Sequence, residues 1–390
     1  MSTTTRNYGA LIQRTWDEHL LHSVLVELTY RCNLDCVFCY NDLRRAGRPL
    51  SREQYLTLLD ELAALQVMNL VLSGGEPTTH PDFFAIGARA RELGFVVRIK
   101  TNGHGLGPSV AQRLAREVEP FMLEVSIHGA AAVTHDRQTR VPGSFARLMD
   151  NLGHATNAGL RMKLNAVLTR WNEHELEAMY AIADARGLQL QIDPQVTPRD
   201  DGDATPTELR ASDEGLARYY ALVAMRGDRA RAPAEHGGAR EGATPEPRGD
   251  SAHDGAAREP DTWPSPTPDP TPQRASGQKH CGAGSGGLAI DPFGNVLPCV
   301  QWRMPIGNLH ERSLRALWEG GSGTLDEVRA ATTRAKTIVD EERRAGRPLV
   351  FCPGIAARET GDPTALYPAA QRAAQAALGA NRTKRLPIVG

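Results

Sequence analysis

The chain has 390 residues, of which 41% are hydrophobic, 23% charged and 5% aromatic, with a formal net charge of −1. That length suits one large α/β domain plus a smaller second one, and the balanced charge excludes a nucleic-acid binder of the basic-patch kind. No apolar run approaches the roughly 18–20 residues that span a bilayer, and Met1 to Asn7 is polar, without a signal-peptide core, so a cytoplasmic protein with no membrane or nucleic-acid partner is expected.

In chain order, residues 1–22 form an N-terminal extension, and short apolar runs then alternate with helical patterns. Strands are predicted at Val24–Tyr30, Asn69–Ser73, Phe95–Thr101, Phe121–Ile127, Met162–Thr169 and Leu188–Asp193. A helix from Ser51 opens with the capping box Ser51-x-x-Gln54 and sets Leu58, Leu59, Leu62 and Leu65 on one face. Another is predicted to start Asn172-x-x-Glu175 and to stop before Gly187. Six β–α repeats within 23–226 predict a parallel sheet, open or curled as a partial barrel, with ligands at the C-terminal strand ends. Residues 227–278 lack Val, Ile, Leu, Met, Phe and Tyr and carry nine of the 26 prolines. They predict a disordered linker with polyproline character, or alternatively a lid anchored by Trp263. Residues 279–365 should form a small domain around a β-hairpin, Leu288–Ile290 and Asn295–Leu297, joined by the turn Asp291-Pro-Phe-Gly294. A helix at Ser313–Glu319 follows, and a C-terminal helix and tail occupies 366–390. A Gly/Pro-rich domain this short of core commonly needs a metal staple.

Six cysteines are too few for a disulfide scaffold. Three cluster as Arg31-Cys32-Asn-Leu-Asp-Cys36-Val-Phe38-Cys39-Tyr40, and Cys281, Cys299 and Cys352 lie in the last third. Three thiolates at spacings x3 and x2 suit one face of a [4Fe–4S] cube whose fourth iron stays open; structural zinc wants four closely spaced ligands, and no partner follows.

This C-x3-C-x2-C motif resembles the signature of the radical S-adenosylmethionine (SAM) superfamily, in which SAM chelates the open iron and the reduced cluster cleaves it to a 5′-deoxyadenosyl radical. The resemblance extends to later strand ends: Ser73-Gly74-Gly75-Glu76-Pro77 is like the family's GGE motif and Lys100-Thr101-Asn102-Gly103 like its TNG. It implies close backbone approach of Gly74 and Gly75 to the methionine end of SAM, with the Glu76 carboxylate pairing its ammonium. It further implies SAM contacts from Thr101 and Asn102, from Ser126 to the ribose, from His128 on the same strand face, and from Asn165 and Val167 behind adenine and ribose. Phe38 and the Tyr40 backbone would border the adenine. The implied fold is a partial (β/α)6 radical SAM barrel.

His280-Cys281-Gly-Ala-Gly, the hairpin ending in Cys299, Ile306-Gly-Asn-Leu309 and Cys352-Pro-Gly354 resemble the auxiliary-cluster region called SPASM, or its shorter Twitch form. With only Cys281, Cys299 and Cys352, a second iron–sulfur cluster has an incomplete cysteine set; His280, His310, water or a substrate atom could fill the fourth place. The bland alternative is a degenerate domain with inert buried cysteines.

SPASM and Twitch relatives mostly modify peptides, so the resemblance implies oxidative maturation of a ribosomally made peptide; a Twitch-type dehydrogenase of an aminocyclitol or sugar alcohol is the alternative. Asp193, in Gln191-Ile-Asp193-Pro at the sixth strand's end, is the catalytic candidate as proton acceptor or substrate contact, against its reading as a turn former. Arg137 and Arg140 could hold a carboxylate or be solvated. The expected partners are a peptide or small-molecule substrate, a reducing donor such as flavodoxin or ferredoxin, and a separate leader-peptide recognition protein unless the peptide docks directly. A non-catalytic iron–sulfur electron carrier or sensor would use the same cysteines but has no need of Gly74, Gly75, Glu76 or Ser126.

Overall fold

The structure, a computed structural model, describes residues 8–231, 279–347 and 349–383. Helix α1 (Tyr8–Asp17) leads into β1 (Ser23–Thr29), followed by α2 (Arg52–Ala64), β2 (Asn69–Gly74), α3 (Phe83–Glu92) and β3 (Val96–Thr101). Next come α4 (Pro108–Arg113), which runs into a π-turn, then β4 (Met122–Ser126), α5 (Ala132–Thr139), α6 (Ser144–Asn157) and β5 (Met162–Val167). The barrel part closes with α7 (Leu176–Asp184), β6 (Leu190–Asp193) and α8 (Asp213–Arg231). The C-terminal part holds β7 (Gly287–Ile290), β8 (Asn295–Leu297), β9 (Gly307–Asn308), α9 (Leu314–Glu319), α10 (Gly323–Arg344), α11 (Pro353–Thr360) and α12 (Pro368–Thr383).

The six predicted barrel strands are all present, and β1 to β6 pair in parallel in consecutive order. They form a partial (β/α)6 barrel with β1 and β6 at its edges. Strand alternation decides its two faces. Val97, Ile99, Leu123, Leu164 and Ala166 join the core under the helices, whereas Arg98, Lys100, Glu124, Lys163 and Asn165 meet one another on the opposite face. The concave interior is therefore polar and charged. Helix α2 starts as its capping box predicts: Ser51 Oγ accepts from Gln54 N at 3.3 Å and Gln54 Oε1 from Ser51 N at 3.0 Å. Leu58, Leu59 and Leu62 are buried on its inner face, where full burial of each leucine contributes about 1.5–3 kcal/mol.

The Asn172 cap expected for α7 is not made. Its amide instead donates to the carbonyls of His128 and Val167 and accepts from Thr169 N, and a 3₁₀ turn at Glu173–Glu175 starts the helix. Asn172 serves the β4 and β5 loop ends because their carbonyls are buried and need a donor.

The hairpin does not stand apart from the barrel. β7 pairs in parallel with β1, Ser23 opposite Gly287 and Val26 opposite Ile290, and β8 and β9 follow antiparallel, giving one nine-stranded sheet in the order β6-β5-β4-β3-β2-β1-β7-β8-β9. Ile290, Val296, Ile306, Leu314 and Leu317 belong to the same core as the barrel strands. A shared core of this size stabilises the short segment without relying on a metal alone, and it covers the edge of β1. The predicted turn is formed: Asp291 Oδ1 accepts from Phe293 N and Asn295 N, both at 2.9 Å, and Gly294 takes φ +81°, which favours glycine. The long α10 had no counterpart in the sequence reading. The segment expected as linker, with Trp263, lies outside the described residues from 232 on; its first residues, 227–231, instead continue α8 to Arg231. Among the described residues no helix is long and apolar enough to cross a membrane.

Candidate functional site

The loop after β1 carries Cys32, Cys36 and Cys39, all half-buried, and neighbouring elements fix its backbone. Asp35 N donates to Thr139 O at 3.1 Å and Val37 N to Gln138 O at 3.0 Å, so the end of α5 supports the loop. Burial raises all three thiols, Cys39 to about 11, and Cys36 is raised further by its two sister thiols. Buried neighbouring thiols of this kind suit ligation to an iron cluster, whose positive irons favour the thiolate form. Cys32 Sγ also accepts from Leu34 N at 3.4 Å and Asn102 Nδ2 at 3.7 Å, donors of the kind that stabilise cluster thiolates. Among the described residues no three His, Cys, Asp or Glu side chains converge as a single metal ion requires.

The GGE and TNG motifs lie side by side at the ends of β2 and β3, joined by Glu76. Its carboxylate is fully buried and takes four hydrogen bonds: Thr78 N at 3.2 Å and the Thr78 and Thr101 hydroxyls at 2.6 and 2.8 Å on Oε1, with Asn102 N at 2.7 Å on Oε2. A carboxylate has about four acceptor positions. These bonds make Glu76 a structural tie that sets Asn102 against Cys32, and Oε2, which takes the single donor Asn102 N, keeps a further acceptor position. Gly74 and Gly75 also serve a close approach within the chain. A Cβ at Gly74 would run into the Thr29 carbonyl, and one at Gly75 would lie 2.7 Å from Tyr30 O. The glycines let β2 press on the start of the cysteine loop, where Gly75 N donates to Thr29 O at 2.6 Å.

Ser126 and Asn165 pair in register across β4 and β5. Asn165 donates to Glu124 at 3.0 Å and keeps its buried Oδ1 without a partner among the described residues. Val167 is half-buried at the end of β5, opposite Asp193. His128 does not share that open face. It is 6% exposed and packs edge-on to Phe38 at 4.7 Å and stacked on His135 at 5.8 Å, so it props the cysteine loop from below. The Tyr40 hydroxyl donates to Glu27 at 3.1 Å and its carbonyl accepts from Asp200 N at 2.8 Å.

Burial lowers His128 to about 3 and His135 to about 4. An unfolded chain titrates its histidines near about 6.5, so between those values the native state binds fewer protons and loses stability as pH falls. The expected result is a urea midpoint that drops between pH 7 and pH 5 by the equivalent of about 3 kcal/mol, and a smaller drop in His135→Gln. A midpoint flat across that range would refute it.

The C-terminal cysteines converge although 71 residues separate the first from the last. Burial raises Cys281 to about 12, with Cys299 and Cys352 adding to it, and Cys352 to about 11, with Cys299 adding to it. The Gly284 N to Pro298 O bond at 3.0 Å closes the first two segments together. Gly354 packs against the Gln301 backbone, bringing in the third. His310 is excluded as a fourth ligand: its two ring nitrogens bond Gln54 Nε2 at 3.0 Å and Arg48 O at 2.9 Å, away from the cysteines. His280 bonds Phe351 O through Nε2 at 2.8 Å. A backbone carbonyl commonly orients a metal-binding imidazole in this way.

Between the two cysteine groups lies the charged barrel interior. Glu124 is ringed by Arg98, Lys100 and Lys163; burial opposes its ionisation, yet these cations hold its carboxyl below the usual range. Lys163 Nζ also donates to Gln191 at 3.0 Å. Asp193 is solvent-accessible but enclosed by protein, which raises its carboxyl while Lys100 lowers it; its charge in turn raises the Cys352 thiol. Asp193 Oδ1 also accepts from Gln195 N at 2.9 Å, so the turn reading holds beside any other role. Arg137 stacks on Trp171 at 3.8 Å and Arg140 pairs with Asp35 at 3.2 Å; neither reaches the interior.

Sequence reasoning missed the group that ties the halves together. Arg303, three positions after Val300 and 8% exposed as a side chain, forks onto Glu27 at 2.7 and 3.0 Å and meets Asn41 at 3.2 Å and Asp200 at 3.1 Å. Asn41 in turn donates to Gly74 O at 3.2 Å. The one available signal was Glu27, an acid inside the apolar run Val24–Leu28.

A (β/α)6 barrel with three cysteines after its first strand, and a second cysteine set docked on that strand's free edge, defines a SAM-type iron–sulfur enzyme. The chain belongs to the radical SAM superfamily: that family matches residues 26–183, and an iron–sulfur cluster-binding domain, SPASM, matches 281–338. It is similar to the mycofactocin maturase MftC of Mycobacterium ulcerans, 31% identical over 299 residues, covering 76% of this chain and 71% of that one. It is also similar to the PqqA peptide cyclase of Ruegeria pomeroyi, 30% identical over 314 residues, covering 77% and 74%. Its fold matches Streptococcus suis SuiB bound to S-adenosylmethionine with a TM-score of 0.58 at 18% identity, over 82% of this chain and 70% of that one. The enzyme therefore uses [4Fe–4S] chemistry and SAM.

Proposed function

We propose that this enzyme matures a peptide oxidatively, by cross-linking it or oxidising a side chain. Two relatives of this kind are named as a maturase and a peptide cyclase. The observation that carries the reading is the position of Asp193 at the C-terminal end of β6, opposite Val167, where Lys100 of the barrel acts on its carboxyl and it acts on Cys352 of the second cysteine set.

In this reading Cys32, Cys36 and Cys39 hold the cluster that binds SAM. Phe38, Thr101, Asn102, Ser126, Asn165 and Val167 line the SAM site, with the Gly74–Gly75 backbone. Bound there, cluster and SAM supply hydrogen-atom abstraction from the substrate. Glu76 keeps Asn102 aimed at the cysteine loop, and His128 supports Phe38 from beneath. Cys281, Cys299 and Cys352 hold the second cluster, with His280 as the protein's candidate for the remaining position. Asp193 takes the proton released when the substrate is oxidised, and Lys100 holds its carboxylate ready for that. We place the functional halves at 23–226 and 279–365, and assign a flavodoxin- or ferredoxin-type protein as the reductant. A leader-peptide recognition protein completes the system if the peptide does not dock unaided.

The test is mass spectrometry of candidate short peptides incubated anaerobically with reconstituted enzyme, SAM and dithionite. A loss of about two daltons per new bond (two hydrogens removed) is expected, absent in Asp193→Asn. Turnover of aminocyclitols with every peptide unchanged would replace this reading by the small-alcohol dehydrogenase.

A further inference from the structure

A cavity of about 520 Å3 is lined by residues that follow Cys299 and Cys352. The chain after β6 forms one wall (Arg199, Asp200), the turn after Cys299 another (Trp302, Met304) and α11 the third (Arg358). None of these side chains is assigned a role above except Asp200, which anchors Arg303.

Its walls hold donors without acceptors. Trp302 is 4% exposed and its Nε1 has no partner among the described residues; the same holds for Arg358 Nη1 and Arg199 Nε, all three atoms inaccessible to solvent. Asp200 is a carboxylate of the same lining: among the described residues neither of its buried oxygens makes a hydrogen bond, and only ion pairs hold it. Asp200 lies between Arg303 Nε at 3.1 Å and Arg358 Nη2 at 3.5 Å, and Glu359 pairs with Arg210. Arg199 has only a long contact, 3.6 Å, to Asp203 at the rim. Gln301 Oε1 is the one neutral acceptor left over. Buried donors left unmet are destabilising, and the lining sets four arginines, Arg199, Arg210, Arg303 and Arg358, against the two carboxylates of Asp200 and Glu359, so the cavity favours a ligand that brings acceptor oxygens and negative charge. Met304, 45% exposed, adds an apolar surface beside them.

We propose that this cavity binds a carboxylate of the peptide substrate, with Arg358, Arg199 and the Trp302 indole N–H as its donors and Met304 against the adjoining apolar side chain. The proposal rests on the peptide reading above. Arg358 stands six residues after Cys352 and Trp302 three after Cys299, so a peptide anchored there is fixed relative to the second cysteine set. The carboxylate could be the peptide's C-terminus or an acidic side chain.

Titration calorimetry on the reconstituted enzyme separates these with three probes: N-acetyl-Leu-Leu as the free acid, its C-terminal amide, and N-acetyl-Leu-Glu amide. At least one carboxylate probe is expected to bind tenfold or more tighter than the neutral amide, and which one does identifies the source. Trp302→Phe, which removes one donor and keeps the ring, should weaken that binding about three- to tenfold, and Arg358→Gln more than tenfold, both with iron content and thermal midpoint preserved. If Arg358→Gln fails to fold, Trp302→Phe and Arg199→Gln decide the matter. Equal binding of the neutral amide, no binding of any probe, or unchanged affinity in the folded variants overturns the site. If carboxylates bind as described but no peptide is ever modified, the anion site stands and the peptide reading fails.

Discussion

Replacing Cys32, Cys36 and Cys39 together by alanine will remove about four irons per chain and abolish reductive cleavage of SAM. Iron and sulfide assays after anaerobic reconstitution, with liquid chromatography for 5′-deoxyadenosine, read both effects. The loop should survive the change, because Gln138, Thr139, Thr29 and Arg31 hold its backbone without using the thiols. Any iron the variant retains belongs to Cys281, Cys299 and Cys352. About four retained irons would mean an auxiliary [4Fe–4S] cluster, which gives an oxidative reaction its electron acceptor. Retention of none would make those cysteines structural and favour a redox-neutral reaction. Undiminished SAM cleavage in the variant would refute the assignment of the first set.

Arg303→Met will destabilise the enzyme by about 3 kcal/mol or more. Removing one partner of a buried ion pair typically costs about 3–5 kcal/mol, because the remaining charge is left without its counterion. Here the loss strands Glu27, which is fully buried, and leaves Asp200 with Arg358 alone. Asp200 is pushed up to about 6 by burial, against which Arg303 and Arg358 act; without Arg303 it takes up a proton more readily. Pairing Arg303→Met with Glu27→Gln should recover much of the loss, since no unpaired charge then remains at β1. Urea unfolding of the two single variants and the double variant gives the coupling directly. Additive losses would show that Arg303 and Glu27 do not act as a unit.

The same network bears on activity. Asn41, two residues after Cys39, bonds Arg303 on one side and Gly74 on the other. The first cysteine loop, the GGE strand end and the turn after Cys299 thus share one guanidinium. A change in either cysteine region reaches the other through a rigid, charge-assisted fork, which holds the two sets at a fixed separation across the substrate space.

Much of the site was legible in the sequence because its signals are local. Cysteines at x3 and x2 spacing, Gly-Gly-Glu after an apolar run and Thr-Asn-Gly after the next one fix chemistry and strand ends together, and the six barrel strands lie within two residues of their expected positions. What each motif residue touches was less legible. Glu76 was read as facing a ligand, and its bonds to Thr78, Thr101 and Asn102, which tie two strand ends together, were not foreseen. Gly74 and Gly75 were read as making room for SAM, and the structure adds a packing demand the motif did not reveal, the close approach of β1 and its loop. His128 follows the alternation of β4 only on paper, since the strand ends at Ser126 and the chain turns His128 under Phe38.

By itself the sequence determined the strand and helix series, the iron–sulfur and SAM chemistry and the family, since periodicity, capping and motif spacing are written over a few consecutive residues. Only the tertiary structure decided that β7 would extend the barrel sheet at β1, that Cys281, Cys299 and Cys352 would meet, and that Arg303 would find Glu27 across 276 positions. Those contacts depend on burial and charge pairing between segments that folding alone brings together, and no local pattern encodes them.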